Sequence, residues 1–209
     1  MVNYTEYGYQ DRGAGCHIGY LKEPIFALAA AYPPPARVLD IGCGNGHLAG
    51  DFHRRGYTVV GIDLSEQGIA IARSAHPGVR LEVLAADEKV LDNLAEKPFD
   101  LVISIEVVEH LYDPRAFARG CLAALGPGKR FICSTPYHGY LKNLGISLLG
   151  SWDRHANPLW DGGHIKLWSR KTLSQLLQET GFHNIQFRGA GRAPYLWMSM
   201  VMSGDKPPA

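Results

Sequence analysis

A short apolar segment that runs directly into closely spaced glycines constrains the fold of this chain more than any other feature. Residues 37–41 have the composition of a buried strand, and Gly42-Cys43-Gly44-Asn45-Gly46 follows them without a break. Glycine adopts backbone angles that other residues avoid, so such a loop can hold its peptide N–H groups close to a ligand at the start of a helix. The pattern predicts a strand, a ligand-binding turn and a helix over 47–55.

The alternation of strand and helix continues through most of the chain. Further strands are predicted at 58–63, 79–85, 99–105 and 129–134. Helices are predicted at 20–31, 66–76, 114–125 and 169–180. Such alternation is typical of an α/β fold with a doubly wound, mostly parallel sheet. The strands predicted at 184–188 and 195–202 have no helix between them, so we expect an antiparallel hairpin at the sheet edge.

The length of the chain bears on its domain organisation. A chain of 209 residues suits one α/β domain and is too short for two. We expect a single domain over 1–209, with no repeat or low-complexity linker dividing it. Within it we expect an N-terminal lid segment at 1–19, a substrate-pocket insert at 136–168 and a loose tail at 203–209.

Charge and cysteine content bear on partners and location. Lys and Arg number 21 and Asp and Glu number 20, so no basic excess is present to hold a nucleic-acid backbone, and we do not expect nucleic acid as a partner. No signal-peptide pattern and no apolar run of membrane-spanning length is found. None of the four cysteines forms a CxxC pair, which favours reduced thiols in a cytoplasmic protein.

Carboxylates stand at the ends of three predicted strands, where ligands of open α/β sheets bind. Asp40 lies in the first strand, Asp63 ends the second, and Asp87 follows the third. A carboxylate at Asp63 can accept hydrogen bonds from both hydroxyls of a ribose, and Asp87 is placed to accept one from an adenine amino group. The glycine pattern is GxGxG, and His47 occupies the sixth position where a dinucleotide fingerprint requires glycine. The sequence therefore argues against a bound pyrophosphate.

Together these segments resemble the successive motifs of class I methyltransferases, which use S-adenosylmethionine (SAM). The resemblance runs from about residue 20 to 202 and rests on 38–46, 61–65, 86–87, 99–102 and 125–129. It implies a seven-stranded Rossmann-like sheet, SAM as the cofactor, and methyl transfer as the reaction. By position it assigns cofactor contacts to Asp40, Gly42, Gly44, Gly46, Asp63, Leu64, Asp87, Ile105 and Glu106.

The fourth predicted strand ends in a segment with two carboxylates and an imidazole, Glu106-Val107-Val108-Glu109-His110. This ExxEH segment resembles one found in ubiquinone-biosynthesis O-methyltransferases and in small-RNA 2′-O-methyltransferases. In some members the two Glu and the His bind a divalent cation together with a later His, and His164 matches that position. The resemblance implies a metal site at Glu106, Glu109, His110 and His164 for Mg, Mn, Fe or Zn.

The same residues have an alternative role without a metal. His110 or His164 would then act as the general base, because a neutral imidazole can accept a hydroxyl proton near pH 7. Glu109 would pair with His110 or shape the acceptor pocket. The sequence leaves the two alternatives open.

Aromatic residues in two segments predict the character of the acceptor. Tyr9 and its neighbours Tyr4 and Tyr7 lie near the N-terminus, and Tyr137, His138 and Trp160 lie in the predicted insert. Flat side chains stack on flat ligands, so we expect a small aromatic or apolar acceptor that is methylated on a hydroxyl. A nitrogen or carbon acceptor, or a SAM-binding regulatory protein without catalysis, remains an alternative.

The apolar segment 144–149 is compatible with three roles. It can form a lid helix, a contact between two copies of the chain in a homodimer, or a surface that touches a membrane when the acceptor is lipid-like.

Overall fold

Seven strands form one sheet in the computed structural model, in the order β3-β2-β1-β4-β5-β7-β6. The structure describes residues 13, 15, 17–85, 87–160 and 162–209. The strands are β1 Arg37–Ile41, β2 Thr58–Asp63, β3 Arg80–Val83, β4 Phe99–Ile105, β5 Leu125–Pro136, β6 His183–Ala190 and β7 Ser199–Asp205. Strands β1 to β5 pair in parallel, and β7 is antiparallel to both β5 and β6. The predicted Rossmann-like α/β sheet with an antiparallel C-terminal hairpin is confirmed.

Helices connect the strands, and local capping fixes several of their ends. They are α1 Ile18–Ala29, α2 His47–Arg54, α3 Glu66–Ala75, α4 Val90–Leu94, α5 Pro114–Ala124, α6 Tyr140–Leu148 and α7 Arg170–Thr180. The Ser65 hydroxyl accepts a hydrogen bond from the Gly68 N–H at 2.8 Å and so begins α3, as expected for an N-cap serine. Gly181, with a φ of 107°, ends α7.

The sheet is covered on both faces, which explains why its central strands β1 and β4 are largely buried. Leu39 and Ile41 of β1 belong to the core under α5 and α7, which includes Phe117. Val38, on the opposite side of the same strand, belongs to a second core with residues of α1, α2 and α3. The two cores hold the carboxyl ends of β1, β2 and β4 at one edge of the sheet.

The C-terminal strand differs from the prediction. β7 covers Ser199–Asp205 instead of 195–202, because it pairs with β5 as far as Asp205, whose carboxylate also accepts hydrogen bonds from the Arg130 guanidinium. The loose tail predicted at 203–209 is therefore wrong for residues 203–205, which are buried. Lys206 still donates its backbone N–H to the Lys129 carbonyl, 2.8 Å away.

Three further elements depart from the prediction. β5 begins at Leu125, four residues before its predicted start, because the glycine-rich segment pairs irregularly with β4 near Phe99. β3 is shorter than predicted, and α4 was not predicted. The apolar segment 144–149 lies largely within α6, and no helix in the described residues is long and apolar enough to cross a membrane.

Candidate active site

The glycine loop, residues 42–46, packs more closely than side chains would allow. Gly42 and Gly46 both have a φ of 75°. A β-carbon at Gly42 would lie 2.4 Å from Val107 Cγ2, and one at Gly46 would lie 2.7 Å from Ala72 Cβ. Glycine is required at both positions because both the backbone angle and the space exclude a side chain. Gly44, with a φ of 51°, completes the turn.

Asp63 ties the glycine loop to the end of β2. Its Oδ2 accepts a hydrogen bond from the Gly44 N–H at 2.7 Å, and its Oδ1 accepts one from the Ser65 N–H at 2.8 Å. Asp63 is half-buried, and so is the next residue, Leu64. Since each carboxylate oxygen can accept more than one hydrogen bond, Asp63 keeps capacity for hydroxyl donors of a ligand.

Asp40 is buried beside the same loop with an unsatisfied oxygen. Its side chain is 2% exposed, and its Oδ2 has no hydrogen-bond partner among the described residues. Burial, and secondarily the charge of Asp63, raise the pKa of Asp40 to about 7. A buried carboxyl without a partner is stabilised when a cation or a hydrogen-bond donor reaches it.

Asp87 lies apart from this pair, on the exposed turn before α4. Its Oδ1 accepts a hydrogen bond from the Lys89 N–H at 2.8 Å. Its backbone carbonyl packs against α5, where a β-carbon at Gly120 would lie 2.7 Å from it. Close approach at Gly120 thus fixes the position of Asp87 beyond β3.

Glu106 follows β4 in a strained backbone conformation. Its φ is 56°, a region that residues other than glycine rarely adopt. The Ser134 hydroxyl donates to its Oε1 at 2.7 Å, and the Ser199 hydroxyl lies 3.4 Å from its Oε2. Burial raises the pKa of Glu106 to about 7. Ile105, the preceding residue, is half-buried at the end of the strand.

Sequence reasoning missed the partners of Glu106. Ser134 and Ser199 are hydroxyls within apolar strands, and Ser199 also forms a hydrogen bond of 3.1 Å with the Tyr20 hydroxyl of α1. A polar residue within or at the end of a buried apolar strand is a signal that could have indicated them.

Glu109 lies in a 3₁₀ turn, Val108–His110, directly after β4. Its side chain is 1% exposed, and neither carboxylate oxygen has a hydrogen-bond partner among the described residues. Burial, and then the charge of Glu106, raise the pKa of Glu109 well above its ordinary value. Its backbone carbonyl accepts hydrogen bonds from Ile165 and Lys166, which holds the loop before α7 over the turn.

Three rings cluster next to Glu109, and we call His110, Trp160 and His164 the ring cluster. The centroids of the two imidazoles are 5.0 Å apart, and Trp160 lies 5.7 Å from His110 and 5.3 Å from His164. Nδ1 of His110 is 2.8 Å from the Gly162 carbonyl. Burial, and then the charge of His110, lower the pKa of His164 to about 4.

The structure brings together three of the four residues predicted to bind a metal. Potential ligand atoms of Glu109, His110 and His164 all lie within 4.8 Å of one another. Glu106 is not part of this group, and its carboxylate is bound by Ser134 and Ser199 instead.

The predicted acceptor-pocket residues separate into different environments. Tyr137 is buried, and its ring packs against Trp197 at 5.2 Å and Phe187 at 6.3 Å, within the core. His138 lies 3.2 Å from Asn143 through Nδ1, and its charge contributes to the lowered pKa of His164. Trp160 belongs to the ring cluster. The predicted contributions of Tyr4, Tyr7 and Tyr9 lie outside the described residues.

A family model described as a methyltransferase domain matches residues 17–187. The chain belongs to this methyltransferase family. It is similar to a ubiquinone biosynthesis O-methyltransferase of Cereibacter sphaeroides, with 30% identity over 199 residues that cover 91% of this chain and 80% of the relative. With its glycine loop and sheet, the chain is a SAM-dependent methyltransferase, which confirms the predicted enzyme class and the prediction of SAM as a cofactor.

Solved structures show that this methyltransferase shares its fold with distant relatives. A SAM-dependent methyltransferase from Archaeoglobus fulgidus aligns with a TM-score of 0.65 at 17% identity, covering 89% of this chain and 93% of that one. Phosphoethanolamine N-methyltransferase 2 of Haemonchus contortus, in complex with SAM, aligns with a TM-score of 0.62 at 16% identity, covering 89% and 52%.

Proposed function

We propose that this methyltransferase transfers the methyl group of SAM to a hydroxyl of a small aromatic or apolar molecule. The observation that carries the proposal is the placement of Glu109 beside the imidazoles of His110 and His164, at the strand end that follows the glycine loop. A hydroxyl must lose its proton when it is methylated, and this group supplies the bases that can take it.

The residues around the glycine loop suit SAM. Close packing at Gly42 and Gly46 keeps side chains out of the turn, and the buried carboxyls of Asp40 and Glu106 form no ion pair with a described residue. SAM brings a sulfonium and an ammonium, and it supplies the electrophilic methyl group when bound. We assign its contacts to Asp40, Gly42, Gly44, Gly46, Asp63, Leu64, Asp87, Ile105 and Glu106.

Within this assignment each carboxylate has a distinct task. Asp63 would accept hydrogen bonds from the ribose hydroxyls, since it already spans the glycine loop and the start of α3. Asp87 would accept one from the adenine amino group. Asp40 and Glu106 would face the methionine part, where an ammonium stabilises their ionised forms.

Proton removal from the acceptor falls to the imidazoles. Because its pKa is lowered to about 4, the ring of His164 is neutral at pH 7 and offers a nitrogen lone pair to the acceptor proton, but it is a weaker base than an ordinary imidazole. Glu109 lies close enough to stabilise the resulting imidazolium. When the acceptor hydroxyl and the base are bound next to each other, the proton transfer becomes effectively unimolecular. This positioning supplies much of the rate enhancement.

As an alternative to His164 as the base, the same three residues suit a divalent cation. Glu109 offers two unsatisfied carboxylate oxygens, and the Nδ1–H of His110 donates to the Gly162 carbonyl, as is usual for metal-bound histidines. Glu109, His110 and His164 would hold Mg, Mn, Fe or Zn, which would lower the pKa of the acceptor hydroxyl. Glu106 stays outside the ligand set because two serine hydroxyls already bind it.

Exposed apolar side chains of the predicted insert, which also contains Trp160 and His164, favour an aromatic or apolar acceptor. They lie on α6 and in the loop that follows it, namely Tyr140, Leu141, Leu144, Leu148, Leu149, Leu159, Ile165 and Leu167. Such side chains gain free energy when an apolar ligand covers them. The relative named for ubiquinone biosynthesis supports a hydroxyl as the acceptor group.

The remaining features of the proposal concern organisation and location. We infer a single domain, with 136–168 as the acceptor-pocket insert and 1–19 as a lid segment. A net charge of +1 favours a small molecule over nucleic acid, and the exposed face of α6 offers a contact surface for a homodimer. Free, buried thiols at Cys43, Cys121 and Cys133 favour a cytoplasmic location.

An acceptor screen at saturating SAM tests the proposed reaction. We would compare catechols with anilines and indoles of the same size, follow S-adenosylhomocysteine (SAH) production, and identify the methylated atom by mass spectrometry and NMR. We expect the wild type to methylate a catechol oxygen and the Asp63→Ala variant to lose this activity. Methylation confined to nitrogen or carbon would contradict the hydroxyl assignment, and tight SAH binding without any product would favour a regulatory role.

A further inference from the structure

We propose that the acceptor carries a fixed negative charge, a carboxylate or a phosphate, and that Lys142 of α6 binds it. This inference rests on the proposed function, because it adds a charged group to the acceptor that the same site would methylate. Lys142 was not among the residues that the sequence indicated.

Lys142 is half-buried and only weakly engaged. Its Nζ donates one hydrogen bond to a described residue, the backbone carbonyl of Met198, at 3.2 Å. No carboxylate of the described residues lies within ion-pair distance of its ammonium group. A partly desolvated ammonium has three donors, so this arrangement leaves it capacity to bind an anion.

The hydrogen bond to Met198 places Lys142 near Glu106, because the next residue, Ser199, contacts the Glu106 carboxylate at 3.4 Å. The charge of Lys142 also contributes to the lowered pKa values of His138 and His164 and partly offsets the raised pKa of Glu106. Lys142 therefore lies near the ring cluster and the strand end at Glu106, where the reacting hydroxyl would lie.

Arg192 adds a second positive charge on the same side. It lies in the connection between β6 and β7, and its charge, together with burial, lowers the pKa of Lys142 to about 8. The attraction of Glu106 only partly offsets this effect, and the Glu106 carboxylate is already held by Ser134 and Ser199. Two neighbouring cations that repel each other are stabilised when an anion enters between them.

A purely structural role explains Lys142 less well. Its hydrogen bond to Met198 joins α6 to the start of β7, but a neutral donor such as glutamine would make the same contact without desolvating a charge. The inferred acceptor is thus amphiphilic. Its body lies against the apolar side chains of α6, its hydroxyl reaches His164, and its acidic group reaches Lys142.

Calorimetric titration of acidic and neutral probes tests this inference. The full-length protein, with and without saturating SAH, would be titrated with 3,4-dihydroxybenzoate, phenyl phosphate and the neutral 3,4-dihydroxybenzamide. We expect at least one acidic probe to bind at least tenfold more tightly than the amide. Tighter binding of the benzoate would indicate a carboxylate in the acceptor, and tighter binding of phenyl phosphate would indicate a phosphate. Lys142→Gln should bring the affinity for that acid down to that of the amide, while Lys142→Arg retains most of it.

The controls separate this inference from the proposed function. Lys171→Gln, an exposed lysine of α7, removes the same charge elsewhere and should change no affinity. Equal affinity for acids and amide in the wild type, an equal loss for both in Lys142→Gln, or no binding of any probe would overturn the inference. Loss of SAH binding in the wild type would instead contradict the proposed function.

Discussion

The Ser134 hydroxyl and Glu106 are joined by two hydrogen bonds across the ends of neighbouring strands. The Glu106 N–H approaches Ser134 Oγ at 3.1 Å, and the same hydroxyl donates to the Glu106 carboxylate at 2.7 Å. This pair holds a residue with a φ of 56° in place at the proposed methionine end of the cofactor site. Ser134 is thus a positioning residue for Glu106.

Substitution of Ser134 should weaken cofactor binding through Glu106. In Ser134→Ala the buried carboxyl loses its shortest hydrogen bond, which should lower the free energy of unfolding by about 1–3 kcal/mol and raise the pKa of Glu106 further. We expect Ser134→Ala to bind SAH more weakly than the wild type. The pH at which the affinity rises should also be higher in the variant, as measured by calorimetry between pH 6 and 9. Ser134→Thr, which keeps the hydroxyl, should retain most of the affinity. An unchanged pH dependence in Ser134→Ala would argue against the positioning role.

The glycine loop offers a matched pair of substitutions. Gly42 and Gly128 have nearly the same φ, 75° and 70°, but a β-carbon at Gly42 would meet Val107 whereas one at Gly128 would meet nothing within 4 Å. Gly128→Ala should therefore cost about 1 kcal/mol of stability, the price of the backbone angle alone. Gly42→Ala should cost at least about 2 kcal/mol more through overpacking and should abolish SAH binding. Urea denaturation measures the stability of the two variants, and calorimetry measures their SAH binding. If both variants lose the same stability, the structure around Val107 adjusts to the added β-carbon without cost.

Local sequence patterns predicted the strands and helix starts around the glycine loop correctly. The strand that precedes Gly42, the serine that begins α3 and the carboxylate that ends β2 depend on neighbours a few residues away, so their types and spacing indicate the structure. The structure places Asp63 where the sequence predicted it, at the end of β2 beside the glycine loop.

Features that depend on distant segments could not be predicted in the same way. The end of β7 is set by pairing with β5, where Asp205 meets Arg130, so the polar residues of 203–205 look like a tail in the sequence. Glu106 takes its hydrogen bonds from Ser134 and Ser199 on other strands, and nothing near it indicates them. Metal ligation by Glu106 is implied by the resemblance of the ExxEH segment to that of other methyltransferases, and this resemblance carries no information on these serines.

Asp40 should make apo-protein stability depend on pH. Its pKa is about 7 in the folded protein against 3.8 unfolded, because burial penalises its charge. Below pH 4 the Asp40 carboxyl is protonated in both the folded and the unfolded state, so it does not lower the free energy of unfolding. Between pH 4 and 7 only the unfolded state ionises, so the free energy of unfolding falls as pH rises, by about 4 kcal/mol at most, and then stays level.

Asp40→Asn removes this penalty and provides the measurement. The variant should equal the wild type in stability near pH 4 and exceed it at pH 8, as measured by urea denaturation. Its SAH affinity should fall at least tenfold at pH 8, since the carboxylate that would face the ammonium is gone. Wild-type SAH binding at pH 6.5 should release protons, detectable in buffers of different ionisation enthalpy. A variant less stable than the wild type at pH 8 would contradict the assignment.

Substitution of His164 should lower activity toward the acceptor without changing cofactor binding. The proposed cation would be bound by Glu109, His110 and His164, none of which is assigned to SAM. We expect His164→Ala to lower kcat/KM for the catechol acceptor at least a hundredfold while the dissociation constant for SAH stays within twofold. Removal of metal from the wild type with EDTA should give a similar loss, restored by added Mn²⁺ or Mg²⁺ in the wild type but not in the variant. His53→Ala, at an exposed position on α2, is the control and should change neither quantity. If EDTA leaves the rate unchanged while His164→Ala still loses it, the imidazole acts as the base without a cation.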